Sequence, residues 1–290
     1  MTDVAISHPE KIMFPEDGIT KGELAAYYEL VAPIMLPHLE GRPVTLERFH
    51  RGIGEKGFFQ KNVEKGAPAW LERVAVPKND GIVNYAVVRE ARGIMWLANQ
   101  NCITPHVWTS RAPNLLFPDL CIFDLDPLVD DDKALRAATL LVRDALAELG
   151  VTTFVKTSGS KGFHVAFALD GKADGGRVAH FAHQMGRAIV QRAPDRFTQE
   201  FYKADRDGKI LIDTGRNEFG ATYAAAYAIR PKPGAPVSAP CTWDEVERGD
   251  VGPQTITLRS MRARLETHGD LWSSIFERRY ALPDAEGGRD

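Results

Sequence analysis

The run DLCIFDLDP at positions 119–127 constrains the fold more than any other stretch of these 290 residues. It reads as a β-strand. Side chains alternate faces along a strand, so Asp124 and Asp126 project from one side at its far end. Leu120 and Ile122 share that face deeper in and are expected to be buried. Two carboxylates side by side repel one another unless a proton or a cation lies between them. A divalent metal is the usual solution, and all-oxygen ligation suits Mg²⁺ or Mn²⁺. The competing reading is a pair of solvated strand-end aspartates, one of them capping the next helix. A second apolar run, KILID, delivers Asp213 at its end in the same way. Three such aspartates are what two-metal phosphoryl or nucleotidyl transfer needs. One ion lowers the pKa of the attacking hydroxyl, and the other neutralises the triphosphate and the leaving pyrophosphate.

The stretch TSGSKGFHV lies between two β-type runs. Its glycines allow close backbone approach and its amides can form an anion nest, to which Ser158, Ser160 and Lys161 add donors and charge. The P-loop spacing is missing, and a strand rather than a helix follows. In that strand Phe163, Val165, Phe167 and Leu169 alternate with His164, Ala166 and Ala168, which leaves His164 among small side chains with room for a ligand. An ordinary hairpin with a hydrogen-bonded histidine is the plainer alternative.

Around these runs strands alternate with amphipathic helices, which indicates α/β or α+β. Thr20 with Glu23 makes a capping box. Leu24, Tyr27, Val31 and Ile34 then recur at helical spacing, and Pro37 with Gly41 marks the helix end. RPVTLERFHRGIGEKGFFQKN reads as strand, loop, strand, and a helix is expected around GIMWLANQ. Another should run from about Asp132 to Leu149 with Leu135, Ala138, Val142 and Leu149 on one face, stopped by Gly150. A further helix passes through Val178, Phe181, Met185 and Ile189, and a last one spans Ile256–His268. PKPGAPVSAP is a proline-rich strap. A boundary between an N-terminal and a catalytic module is expected near residues 105–118.

Composition sets the outer limits. Hydrophobic residues make up 44% and charged residues 26%, which is ordinary for a folded globular chain and unlike disordered or collagen-like ones. No apolar run approaches the ~18 residues that span a bilayer, and the N-terminus carries no secretory pattern. Three scattered cysteines argue against a disulfide framework or a structural zinc site and fit a reducing cytoplasm. The formal charge of −3 argues at first against a nucleic-acid binder. The layout is uneven, however: Arg42, Arg48, Arg51, Lys56 and Lys61 face only Glu47 and Glu55 within residues 42–61. Near-neutrality overall therefore does not exclude a nucleic-acid partner.

The succession DLD at 124–126, SGSKGFH at 158–164 and LID at 211–213 resembles the archaeo-eukaryotic primase superfamily. Within it, the chain is most similar to the polymerase domain of bacterial ATP-dependent DNA ligase D and its stand-alone relatives in non-homologous end joining. The likeness extends through HPEKIMFPEDGITKGELAAYYE, GFFQKN, WLANQNCITPHVWTSR and RPKPGAPVSAPCTWDEV. It implies a primase-like fold in one domain over 1–290, with an N-terminal α/β module (1–110) packed on an RRM-like catalytic sheet (111–280). It implies a template-dependent nucleotidyltransferase that extends a primer 3′-hydroxyl with NTPs or dNTPs, ribonucleotides preferred, at gaps and break ends. Asp124, Asp126 and Asp213 would be catalytic and hold two Mn²⁺ or Mg²⁺ ions. Ser158, Lys161 and His164 would hold the triphosphate, with Arg230 near them and His106 beside the sugar. Phe58 and Phe59 match the aromatic pair that stacks on bases. Core packing of one of the two is the alternative, since strand alternation would bury one and expose the other.

Lys11 and Lys21 match the lysines that grip a DNA 5′-phosphate, and Lys203 and Arg206 match basic positions near the primer. Where the family often has asparagine this chain has His8, which can also donate. The cysteines cannot build the zinc motif of replicative primases, so primer extension is favoured over de novo priming. Nothing resembles a ligase nucleotidyl-lysine motif: if the chain is a complete gene product its DNA ligase would act in trans, the alternative being a domain excised from a longer protein. A Ku-type end-binding protein is a further expected partner. The expected location is the cytoplasm, at the nucleoid. Two rival readings remain. One is a non-catalytic DNA-end-bridging subunit. The other is a DxD-type phosphatase, against which Pro127 and Leu128 stand where a small residue and threonine belong.

Overall fold

Thr20 starts the first long helix from both directions. Its hydroxyl accepts from the Glu23 amide, and the Glu23 carboxylate accepts from the Thr20 amide. In the computed structural model, which describes residues 4–78, 81–128 and 131–283, a two-stranded ribbon, β1 (Ile12–Phe14) and β2 (Ile19–Thr20), leads into this helix, α1 (Lys21–Leu39). Leu24, Tyr27 and Val31 are buried. The helix ends at Leu39, between Pro37 and Gly41 (φ 75°) as expected, with Pro33 and Pro37 both inside it. Each proline frees one carbonyl a turn earlier. Both stand on the exposed face, while Val31, Met35 and Leu39 anchor the opposite one.

The chain continues through β3 (Pro43–Arg48), β4 (Phe58–Gln60), β5 (Glu72–Lys78), β6 (Gly81–Val87), α2 (Ala91–Asn99) and β7 (Cys102–Val107). Next come β8 (Leu120–Asp126), α3 (Asp132–Ala147), β9 (Phe154–Thr157), β10 (Phe163–Leu169), α4 (Gly175–Arg192), β11 (Phe197–Thr198) and β12 (Ile210–Asp213). Last are β13 (Tyr223–Ala224), β14 (Pro240–Cys241), α5 (Trp243–Arg248), α6 (Met261–His268) and β15 (Arg279–Tyr280). Among the described residues no helix is long and apolar enough to cross a membrane.

Two main sheets organise these elements. One has the order β13-β7-β3-β6-β5, with β4 also paired to β3. The other has the order β11-β12-β8-β10-β9-β14, with β15 paired to β10. The central strand β8 is antiparallel to both neighbours. Leu120 and Ile122 are buried as expected, and all seven residues of β10 are buried, so this sheet is covered on both faces. Helices α3 and α4 pack against it. Although β13 lies late in the chain, it pairs with β7 of the first sheet, Ala224 opposite His106.

Two expectations need correction. Helix α3 stops at Ala147, and Leu149 is exposed in the turn made by Gly150, φ 74°. The last long helix starts at Met261 rather than Ile256. The backbone before it is pulled into the proline-rich strap: Val237 donates to the Ile256 carbonyl, and Leu258 donates to that of Ala235. Helix α5 was not anticipated, although Thr242 and Glu245 repeat the capping box read at Thr20.

The seam between the sheets holds a buried charge cluster. Arg42 Nη2 lies 2.7 Å from Asp119 Oδ1, and Arg111 Nε lies 2.6 Å from Asp119 Oδ2. Burial alone would raise the Asp119 pKa, but the two guanidinium groups outweigh it and hold the carboxyl below its usual range.

Candidate active site

Strand register builds the site. Asp124 on β8 sits directly opposite Asp213 on β12 and opposite His164 on β10, and His164 sits opposite Lys156 on β9. Residues directly opposite in adjacent strands project to the same face. The order Lys156, His164, Asp124, Asp213 therefore forms one row across four strands, with Asp126 two residues further along β8. A cleft of about 480 Å³ opens over this row. Its lining includes Asp124, Asp126, Asp213, Ser158, Lys161 and His164, and also His106, Arg230, Lys203 and Arg206.

The carboxylates already carry cations from the chain itself. Arg216 spans two of them, its Nε 3.1 Å from Asp124 and its Nη2 3.3 Å from Asp213. Arg206 Nη1 lies 2.9 Å from Asp126. Burial works against an ionised Asp124, but His164 and Arg216 overcome it and hold the carboxyl well below the usual range. Asp213 goes the other way: burial raises its pKa, and the charges of Asp124 and Asp126 add to the rise against Arg216. Among the described residues no group of three acids, histidines or cysteines is closed up as a ready metal cage. All three side chains nonetheless meet on one face and are oxygen donors, with guanidinium groups as their counter-charges. That is the donor set expected for magnesium or manganese.

The glycine-serine turn is shaped by close contacts. Ser158 Oγ accepts from the Ser160 amide at 3.1 Å and from the Gly162 amide at 3.0 Å. A Cβ at Gly162 would stand 1.7 Å from the Leu125 carbonyl oxygen, so only glycine lets the turn lie against β8. Arg230 Nη1 donates to the Ser158 carbonyl, while its buried Nε finds no protein partner. An unpaired buried guanidinium N–H at a cleft suits an anion.

The two histidines are held differently. Lys156 Nζ lies 2.9 Å from His164 Nδ1, and His164 Nε2 lies 3.4 Å from Asp124. Burial, and then the Lys156 charge, push the His164 pKa down to about 4, so the ring is neutral at pH 7. The Asp124 carboxylate only accepts, so a ring proton on Nε2 faces it and Nδ1 is left to accept from Lys156 Nζ. Burial and the Arg230 charge push the pKa of Lys156 itself well down. His106 Nε2 lies 2.9 Å from Glu47. A carboxylate only accepts, so this ring also carries its proton on Nε2. Burial lowers the His106 pKa despite Glu47.

The remaining expected residues lie outside the acid row. Phe58 and Phe59 on β4 are both exposed, at 40% and 61%, so neither is a core residue. Phe59 packs edge-on against His106, with ring centroids 5.3 Å apart. Lys11 and Lys21 belong to the N-terminal part and do not line the cleft. Lys21 Nζ is buried and donates to the Asn99 carbonyl at 2.7 Å, to Asn99 Oδ1 at 3.0 Å and to Ser7 Oγ at 3.1 Å. Lys11 Nζ donates to the His50 carbonyl. Burial lowers the Lys21 pKa, and repulsion from Lys11 and Arg48 lowers it further, so three cations crowd one spot. Lys203 and Arg206 both line the cleft, and Arg206 is buried and paired with Asp126.

Sequence reasoning missed Lys156, Glu47 and Arg216. Lys156 was accessible in principle, because it lies two residues before Ser158 in a β-type run and so shares its face. Arg216 follows Asp213 by three residues in a 3-10 turn. Glu47 depends on the β3–β7 pairing, which no local pattern reveals.

The family model for the LigD primase-polymerase domain matches residues 20–272. The multifunctional non-homologous end joining protein LigD of Mycolicibacterium smegmatis is 31% identical over 279 residues, covering 94% of this chain and 36% of that protein. The LigD of Pseudomonas aeruginosa is 33% identical over 268 residues, covering 91% and 31%. The chain thus spans about a third of the length of these relatives. A solved structure of the polymerase domain from Mycobacterium tuberculosis ligase D in complex with DNA superposes with a TM-score of 0.90 at 30% identity. That match covers 97% of this chain and 100% of the other. With the acid row, the glycine-serine turn and this match in agreement, the chain belongs to the LigD primase-polymerase domain family.

Proposed function

We propose that this protein is a template-dependent nucleotidyltransferase of the primase-polymerase type. It extends a primer 3′-hydroxyl at gaps and break ends bearing a 5′-phosphate, during non-homologous end joining. The observation that carries this reading is the in-register row of Asp213, Asp124 and His164, flanked by the Ser158–Gly162 turn over one cleft. Ser158, Lys161, His164 and Arg230 hold the triphosphate, and His106 lies beside the sugar. Phe58 and Phe59 stack on nucleotide or template bases, which tolerates any sequence. Asp124, Asp126 and Asp213 would hold two Mg²⁺ or Mn²⁺ ions, displacing Arg216 and Arg206 as counter-charges. Bound cations there would lower the pKa of the attacking hydroxyl and offset the charge of the leaving pyrophosphate. No side chain is needed as a general base.

Residues 1–290 act as one domain, with 1–110 the DNA-end and template module and 111–280 the catalytic module. A Ku-type end-binding protein and a DNA ligase are the expected partners, in the cytoplasm at the nucleoid. The test is a 5′-phosphorylated gapped duplex with Mn²⁺ and nucleoside triphosphates. Templated extension is expected. Binding without extension would instead indicate an end-bridging subunit, and phosphate release from a monoester a phosphatase.

Two further outcomes are expected. Ribonucleotides are incorporated in preference to deoxyribonucleotides in matched assays; equal or better use of dNTPs would overturn that. Lys11→Ala with Lys21→Ala weakens binding to 5′-phosphorylated gaps by about 10- to 100-fold, the loss of one or two charge-assisted hydrogen bonds. Gaps ending in a 5′-hydroxyl are affected far less. Equal losses on both duplexes would show that the lysines form no phosphate pocket.

A further inference from the structure

The two most exposed large apolar side chains among the described residues are neighbours. Phe201 is 67% exposed and Tyr202 71%, with their rings edge to face and 5.7 Å between centroids. Their place follows from topology. β11 is parallel to β12, with Thr198 opposite Leu211, so the chain leaves β11 at the end of the sheet where Asp213 lies. It then turns across the cleft, and Phe201 and Tyr202 both line it. The turn is tied down through one guanidinium group. Arg206 Nε donates to the Glu200 carbonyl at 3.0 Å and Nη2 donates to that of Phe201 at 2.7 Å, while Nη1 pairs with Asp126.

In-line displacement gives this side of the cleft its role. Ser158, Lys161 and His164 stand on the β9–β10 side of the aspartates, and Phe201 and Tyr202 on the β11–β12 side. Attacking and leaving oxygens lie on opposite sides of the reacting phosphorus. With the pyrophosphate over β9–β10, the primer end must approach over β12. A second cavity of about 190 Å³, lined by Phe201, His183, Gln199, Thr214 and Glu218, continues past Asp213 on that side.

We propose that Phe201 and Tyr202 form a stacking platform for the base of the primer's 3′-terminal nucleotide. The proposal rests on the polymerase reading above. Stacking on an aromatic face is indifferent to base identity, as a platform for arbitrary ends requires. It also places the terminal sugar next to the acid row.

The test uses a gapped duplex with 2-aminopurine at the primer 3′-end, read by fluorescence without nucleotide. Wild type, Phe201→Ala/Tyr202→Ala and Phe201→Trp/Tyr202→Trp are compared. The alanine variant is expected to lose the stacking-dependent fluorescence change and to bind the primer end about 5- to 150-fold more weakly, the range for one base–aromatic stack. The KM for primer rises with it and the KM for nucleotide does not. The tryptophan variant restores both readouts. On wild type, an abasic primer terminus should bind as weakly as a normal terminus binds the alanine variant. Unchanged fluorescence and primer affinity in the alanine variant would overturn the platform. So would a rise confined to the nucleotide KM. A wild type that stacks the terminal base yet extends no primer would sink the polymerase reading and leave the platform standing.

Discussion

Asp124→Ala is expected to abolish primer extension, by on the order of 10³-fold or more, while leaving a folded protein that still binds DNA. Asp124 is the central member of the acid row, opposite both Asp213 and His164. Its removal leaves Asp126 and Asp213 without the carboxylate between them. Charge stabilisation of several kcal/mol is at stake in such a site, and each 1.36 kcal/mol is a factor of ten in rate. The fold is spared because Arg216 keeps Asp213 as a partner, 3.3 Å away. Asp213 also loses a repelling neighbour, so its raised pKa should fall back toward the ordinary carboxylate value. The measurement is single-turnover extension beside a thermal melt. Extension within tenfold of wild type would show that the row is not the catalytic centre.

Asp119→Ala is expected to have the largest effect on stability, about 3–5 kcal/mol, out of the ~5–15 kcal/mol that holds a typical domain together. Arg42 is completely buried, and Asp119 is the only carboxylate paired with it among the described residues. The substitution leaves that guanidinium and much of Arg111 with uncompensated charge. The pH dependence has a definite sign. The folded pKa of Asp119 is depressed, so its contribution is fully present above the unfolded value near ~3.9. It is lost as pH falls through the lower folded value. Wild type should therefore lose stability more steeply on acidification than the variant. Denaturant midpoints from pH 7 downward measure this, and a loss under ~1 kcal/mol at pH 7 would mean that the pair is effectively solvated.

The parts of the site legible in the sequence are those carried by local alternation. Asp124, Asp126 and His164 could be placed on faces because a strand has period two, and the capping box of Thr20 and Glu23 marked the start of α1. What stayed hidden depends on pairing between distant segments. Nothing near Glu47 says that His106 will lie beside it on the adjacent strand, and nothing near Arg206 says that its turn folds back onto Asp126. The start of the last helix failed for a related reason. Local preference placed it at Ile256, but pairing of the 256–258 backbone with the strap holds that segment back, and the helix begins at Met261.

The small strand β13 has a consequence for how such a chain can be inherited. Two residues from the later half, Tyr223 and Ala224, complete the sheet of the earlier half by pairing with β7. A recombination breakpoint in the connection between Val107 and Leu120 would strand β13 on the wrong fragment and bare a sheet edge on the other. The two halves of the fold therefore pass between proteins only together, because each leaves the other with an open sheet edge.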